Sequence, residues 1–241
     1  MNKDDAMLAA KSAYVTSVRR AGRVVTKAGA FAAGAPDRDR RMAHWSYSLL
    51  KVHDSAALAE LDVPWWTYRA IDVVEAWLSA RPRPIRVFEY GSGASTAWLA
   101  RRTDEVHSVE HHAGFAEMMR PLLQEIADID LIVVEPVKTS TPTVGSSKEG
   151  HAGLDFAEYV ATIDKVGGLF DLIVIDGRAR EACLRASISH LESDGMIVFD
   201  NTNRERYLTA IAGSGLAQRR LRGLTPTLPY PDSTSLLTRP A

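Results

Sequence analysis

Glu89, Gly91 and Gly93 are the first residues in the chain whose types and spacing suggest chemistry. They stand between an apolar run (Ile85, Val87, Phe88) and a stretch opening at Ser95-Thr96, which reads as strand, turn and helix start. Glycine lets a backbone turn tightly and come close to a ligand, and the helix start behind it offers unpaired N–H groups. A dinucleotide fingerprint, GxGxxG, would need a third glycine where Thr96 stands. An anion at Glu89 would repel a pyrophosphate but suit an ammonium group, which points to a ligand with an amino-acid moiety. A second acid, Glu110, closes EVHSVE 21 positions after Glu89, where a carboxylate can accept both hydroxyls of a ribose. The alternative is a glycine turn in an unrelated α/β protein, with Glu110 merely solvated.

A second group lies later. Asp176 closes the apolar run LFDLIVIDG (169–177), and Asp200-Asn201 close MIVFDN (196–201). On adjacent strands these would bring three oxygen ligands to one spot, and hard cations such as Mg²⁺ or Ca²⁺ prefer oxygen. No Cys/His spacing suggests zinc. The alternative for Asp200-Asn201 is a cap on the next helix. Arg178 and Arg180 follow Asp176; they could hold a carboxylate or phosphate on a substrate, or pair with Asp176 and Glu181. Arginine stays protonated and cannot serve as a base.

Alternating strands and helices must position these residues. Asp62 and Pro64 signal a helix with an apolar face of Ile71, Val74, Trp77 and Leu78, stopped by Arg81-Pro82-Arg83-Pro84. Trp65, Trp66 and Tyr68, at its start, belong either to the core or to the wall of a ligand cleft. Strands are expected at 85–89, 105–110, 129–135, 169–177 and 196–201, the last entered through a turn at Ser193-Asp194-Gly195. Helices are expected around Phe115–Leu122, over 154–166, from Ala179 to Leu191 and over roughly 203–213. Residues 136–153 form a long polar loop, and such loops are usually functional or disordered. QRRLRGL and STSLLTRP suit a closing antiparallel pair. The expected architecture is a Rossmann-like doubly wound seven-stranded α/β sheet with that C-terminal pair, its ligands at the carboxyl ends of the strands.

Two regions are expected: an N-terminal helical arm and linker over 1–41, and a catalytic domain over 42–241. The arm carries apolar positions Leu8, Val15, Val18 and Val25 with several basic residues; it could contact a second copy of the chain, cover the site, touch an anionic surface, or fray in solvent. His53 is expected to be structural or exposed. A chain of 241 residues can bury a full core, and a net charge of -1 gives no general attraction to nucleic acid. A single cysteine, Cys183, excludes an internal disulfide and suits the cytoplasm. No apolar run is long enough to span a membrane, and MNKDDAM shows no signal-peptide pattern.

The ExGxG turn with Glu110 resembles the S-adenosylmethionine (SAM) site of class I methyltransferases. PWWTY, FEYGSGAST, SVEH, DLIVIDGRAR, FDN and the late GLTP and STS are similar to stretches of a group of small bacterial SAM-dependent methyltransferases, over roughly residues 60–238. The resemblance implies that Glu89, Gly91, Gly93 and Glu110 hold SAM, with Ser92, Ser95, Thr96 and His111 nearby and Asp176 where donor and acceptor meet. The trio Asp176, Asp200 and Asn201 also resembles the metal site of cation-dependent, catechol and caffeoyl-CoA type O-methyltransferases, although the arginines after Asp176 depart from that pattern. A hydroxyl acceptor would lose its proton to Asp176, a metal-bound alkoxide, His111 or His151. The expected activity is O-methylation of a small molecule or saccharide. Aminopropyl transfer on the same scaffold and a catalytically silent SAM-binding protein are the alternatives.

Overall fold

The computed structural model describes residues 34–51 and 54–240. The N-terminal arm (except Gly34) and His53 lie outside the described residues.

Seven strands form one sheet in the order β3-β2-β1-β6-β7-β9-β8. They are β1 (Arg86–Tyr90), β2 (Glu105–Glu110), β3 (Asp130–Val133), β6 (Phe170–Ile175), β7 (Leu191–Phe199), β8 (Ala217–Gly223) and β9 (Asp232–Thr238). The first five pair in parallel, and β9 inserts antiparallel between β7 and β8. The expected doubly wound sheet with its C-terminal pair is therefore present. A short antiparallel hairpin, β4 (Val137–Lys138) with β5 (Leu154–Asp155), closes the base of the segment read as a structureless loop.

The sheet is apolar on both faces, as strands covered by helices on each side must be. Side chains alternate along a strand, so Val87, Leu172, Val174 and Val198 pack into one core and Phe88, Ile173, Ile175 and Phe199 into the other. The first core is completed by α2 (Ser55–Glu60), α3 (Tyr68–Ala80), α4 (Ala94–Ala100) and α5 (Ala113–Gln124). The second is completed by α6 (Ala157–Val160), α7 (Thr162–Val166), α8 (Arg180–Ser187) and α9 (Glu205–Ala212). No helix among the described residues is long and apolar enough to cross a membrane.

Three expectations need correction. Helix α3 starts at Thr67, whose hydroxyl accepts the Ala70 N–H, while Asp62 lies earlier in a left-handed turn (φ 53°) and binds Arg101 and Arg102. Residues 193–195 lie within β7, opposite a register shift beside Asp171, and 154–166 divide into β5 and two short helices. Residues 34–41, the end of the expected arm-and-linker region, are tied to the domain: Arg38 pairs with Glu75 and Arg41 with Asp72 at 2.6 Å, both on α3, and Arg41 opens α1 (Arg41–Ser48).

The strand order reverses between β1 and β6, and there the chain leaves both strands through glycine. Gly91 has φ 98°, and a Cβ on it would stand 2.6 Å from Gly177 Cα. A Cβ on Gly177 would meet Tyr159 Oη at 2.0 Å and the Tyr90 carbonyl at 3.0 Å. Gly177→Ala is expected to destabilise the fold by roughly 1–3 kcal/mol through overpacking. Urea unfolding checks this, and unchanged stability would mean the two turns separate without cost.

Candidate functional site

Directly above this switch point lies a cavity of about 660 Å³. Its floor is the β1 turn (Gly91, Ser92, Gly93 and Ser95), one side is Glu110 and His111 from the end of β2, and the other is Asp176, Gly177, Arg178 and Arg180 after β6. Asp200 and Asn201 close the β7 end. Trp65, Thr227 and Leu228 form the opposite wall, where the Trp65 indole N–H donates to Thr227 Oγ1 at 2.8 Å. Trp66 and Tyr68 are core residues, so only the first of the three expected aromatics lines the cleft.

Most of the expected residues meet here, but Glu89 and Thr96 do not line the cavity. Glu89 is fully buried beneath the turn, where its carboxylate accepts from the hydroxyls of Ser95, Thr96 and Ser108 at 2.5, 2.5 and 2.7 Å. The Thr96 hydroxyl also accepts the Gly93 N–H at 2.8 Å. Glu89 thus braces the turn against the helix that follows instead of facing an ammonium group. Burial pushes its pKa up to about 7, against the pull of the three hydroxyls.

Glu110 does reach the cavity. One oxygen accepts the His112 N–H at 2.8 Å and the other the Ser92 hydroxyl at 3.3 Å, and His111 Nδ1 stands 2.8 Å from the first. Gly93 differs in kind from Gly91: a Cβ there would meet no protein atom within 4 Å, because it would enter the cavity.

Asp176, Asp200 and Asn201 come together as expected, yet their polar atoms are already committed. The guanidinium of Arg180, only 5% exposed, donates to the Asp176 carboxylate at 2.8 Å and to the backbone carbonyls of Asp176, Gly177 and Asp200. Asp200 accepts from Thr234 on β9 at 2.7 Å and from the Asn201 amide at 2.6 Å, and that amide also reaches Asp232. A fixed positive charge thus stands where a cation was expected. Burial raises the pKa of both aspartates, opposed at each by Arg180. This arrangement does not support a resident divalent cation, and among the described residues no group of three or more His, Cys, Asp or Glu could hold one. Nor do Asp200 and Asn201 cap α9, whose N-cap is Arg204.

The sequence reading missed Lys148, Phe115, Thr227 and Leu228 as lining residues. His151, which it named only as one candidate base, lines the cavity, stacked on Phe156. Lys148 and His151 belong to the loop above the β4–β5 hairpin, so nothing in their local pattern tied them to the strand ends.

A parallel sheet with its last strand inserted antiparallel next to the edge, and a cavity over the β1 turn, specify the architecture. The fold is a Rossmann-like doubly wound sheet with a C-terminal antiparallel pair. No protein-family model and no curated protein matches the sequence. Solved structures do. A ribosomal protein L11 methylase from Lactobacillus delbrueckii subsp. bulgaricus matches at 19% identity, covering 78% of this chain and 80% of its own, with a TM-score of 0.43. An rRNA methylase from Streptococcus thermophilus matches at 13% identity, 70% and 96% coverage and a TM-score of 0.49. A spermidine synthase from Thermotoga maritima matches at 16%, 69% and 56%, with a TM-score of 0.46.

Glu89 allows a test. Its folded-state pKa of about 7 lies above its ordinary 4.5, so between those values the folded protein holds a proton that the unfolded chain does not. Its contribution therefore falls as pH rises from about 4.5 to about 7, by an amount on the order of 3 kcal/mol. Denaturant unfolding should show Glu89→Gln gaining stability relative to wild type between pH 5 and pH 7.5. A difference independent of pH would contradict a buried, titrating Glu89.

Proposed function

We propose that this chain is a SAM-dependent O-methyltransferase acting on a hydroxyl of a small molecule or saccharide. The observation that carries this reading is the meeting of the Gly91–Gly93 turn, Glu110 and His151 on one cavity. Its volume falls within the range of roughly 300–1,000 Å³ usual for small-ligand sites.

The residues present fit SAM. Ser92, Gly93 and Ser95 offer polar groups and a surface without a Cβ, and Glu110 has carboxylate oxygens at the cavity edge for the ribose hydroxyls. When bound, SAM supplies a methyl carbon on a sulfonium, and sulfur keeps the electron pair of the bond that breaks. The protein's own task is to hold donor and acceptor aligned and to exclude water. Trp65 and Leu228 serve the second purpose from the opposite wall.

The acceptor proton goes to His151. Its Nδ1 lies 3.1 Å from the Glu149 carbonyl, and a carbonyl only accepts, so Nδ1 carries the proton and Nε2 the lone pair. Burial lowers the His151 pKa and nearby Arg178 and Lys148 lower it further, while the carbonyl bond raises it. The ring is therefore neutral at pH 7. His151 takes the hydroxyl proton at Nε2 as the acceptor oxygen forms its bond to the methyl carbon. Asp176 is the poorer base because Arg180 holds its carboxylate. Arg178 and Lys148 on the same cavity oppose a cationic polyamine, which an aminopropyl transferase would need.

His151→Gln, assayed in excess EDTA across pH 5–8, should lower turnover by about 10²–10⁴-fold. Wild-type turnover should fall as pH drops below the ordinary histidine range, and the variant should lose that limb. Retention of both the rate and the limb in the variant would exclude His151 as the base.

A further inference from the structure

Behind Arg178 and Arg180 the SAM-side cavity adjoins a second cleft of about 170 Å³. Lys148, Gly177, Arg178, Arg180 and Asn201 line both. The second cleft adds Arg204 and Arg206 from the start of α9, with Ser146 and Ser147 from the loop above the β4–β5 hairpin. Its charge is lopsided. Lys148, Arg178, Arg180, Arg204 and Arg206 line it against a single carboxylate, Glu181.

Part of that charge is already balanced. Arg180 is neutralised by Asp176 at 2.8 Å, and Arg206 stands 3.3 Å from Glu181. Arg204 and Arg206 both point a guanidinium nitrogen at the Tyr207 hydroxyl, at 3.2 and 3.3 Å, which offers no negative charge. Arg178 is poorly satisfied. Its Nε is buried without a hydrogen-bond partner, and its Nη1 makes only a long 3.3 Å contact with its neighbour's carbonyl, that of Gly177. Burial and the charge of Arg180 lower its pKa, so the surroundings disfavour the very cation that the sequence places there. An anion would reverse that penalty.

We propose that this cleft binds an oxyanion, phosphate or carboxylate, carried by the methyl acceptor and gripped by Arg178, Arg204 and Arg206 beside Lys148. The inference rests on the methyl-transfer reading for the acceptor's position. Planar guanidiniums suit such groups because they donate paired hydrogen bonds. Arg178 lines both the cleft and the cavity, so an acceptor with its anionic group held here would extend past Arg178 toward His151 and the β1 turn. It would select anionic acceptors over neutral ones of the same shape.

Calorimetry on the full chain tests this, with inorganic phosphate and separately acetate as probes at fixed ionic strength, with and without S-adenosylhomocysteine (SAH). Wild type should bind one of these anions saturably, and preference between them separates a phosphate-bearing from a carboxylate-bearing acceptor. The double variant Arg204→Gln, Arg206→Gln should lose roughly tenfold in anion affinity for each strong contact removed, with SAH affinity unchanged. Arg178→Gln should show a comparable loss of anion affinity and guards against a repacking artefact around Tyr207. No saturable binding of either anion, or equal affinity in wild type and both sets of variants, would overturn the proposal. Phosphate binding without SAH binding would overturn the methyl-transfer reading and leave the oxyanion site standing.

Discussion

Two glycines in contact set the geometry on which the rest of this molecule depends. Gly91 and Gly177 leave neighbouring parallel strands at the point where the strand order reverses, and neither turn has room for a Cβ beside the other. Because the turns nestle together, residues that follow β1 and residues that follow β6 line one cavity above them. Glu89 holds this junction from below, through hydroxyls on the next strand and the next helix. A carboxylate at that place is costly to bury, and three donors offset only part of the cost, which is why its pKa rises.

The β6 and β7 ends are joined by a different device. Arg180 sits where a metal would be looked for and bonds both strand ends through their carbonyls and Asp176. A resident guanidinium gives the site a permanent positive charge without pH-dependent loading. In the proposed methyl transfer, deprotonation of the acceptor would then fall to a neutral base, the role proposed for His151. Burial keeps the pKa of both aspartates raised, against the pull of Arg180.

Much of this arrangement was legible in the sequence. Largely apolar runs ending in an acid marked β1, β6 and β7, EVHSVE closing on Glu110 marked β2, and strand–helix alternation ordered them. The β1 turn with Glu110 marked one side of the cavity. What escaped was long-range or depended on packing. Thr234 lies 34 positions from Asp200, so the bond that commits this carboxylate has no local signature. Glu89 looked like a ligand contact because the inward turn of Ser95, Thr96 and Ser108 appears only once strand and helix are packed. Thr67 outcompeted the earlier Asp62-Pro64 signal because its hydroxyl meets the Ala70 N–H directly. Lys148 and His151 arrive from a polar loop that only the β4–β5 pairing brings back over the strands.

The central claim is that the cavity above the Gly91 turn holds the SAM skeleton with Glu110 on its ribose. Titration calorimetry with SAH, on wild type and on Glu110→Ala, tests it most directly. Bonds to a charged acceptor contribute about 1.5–3 kcal/mol each, so the account predicts one SAH per wild-type chain and a loss of at least roughly tenfold in the variant, with thermal stability retained. Wild type that binds no SAH, or a folded Glu110→Ala that binds it with undiminished affinity, would contradict the account.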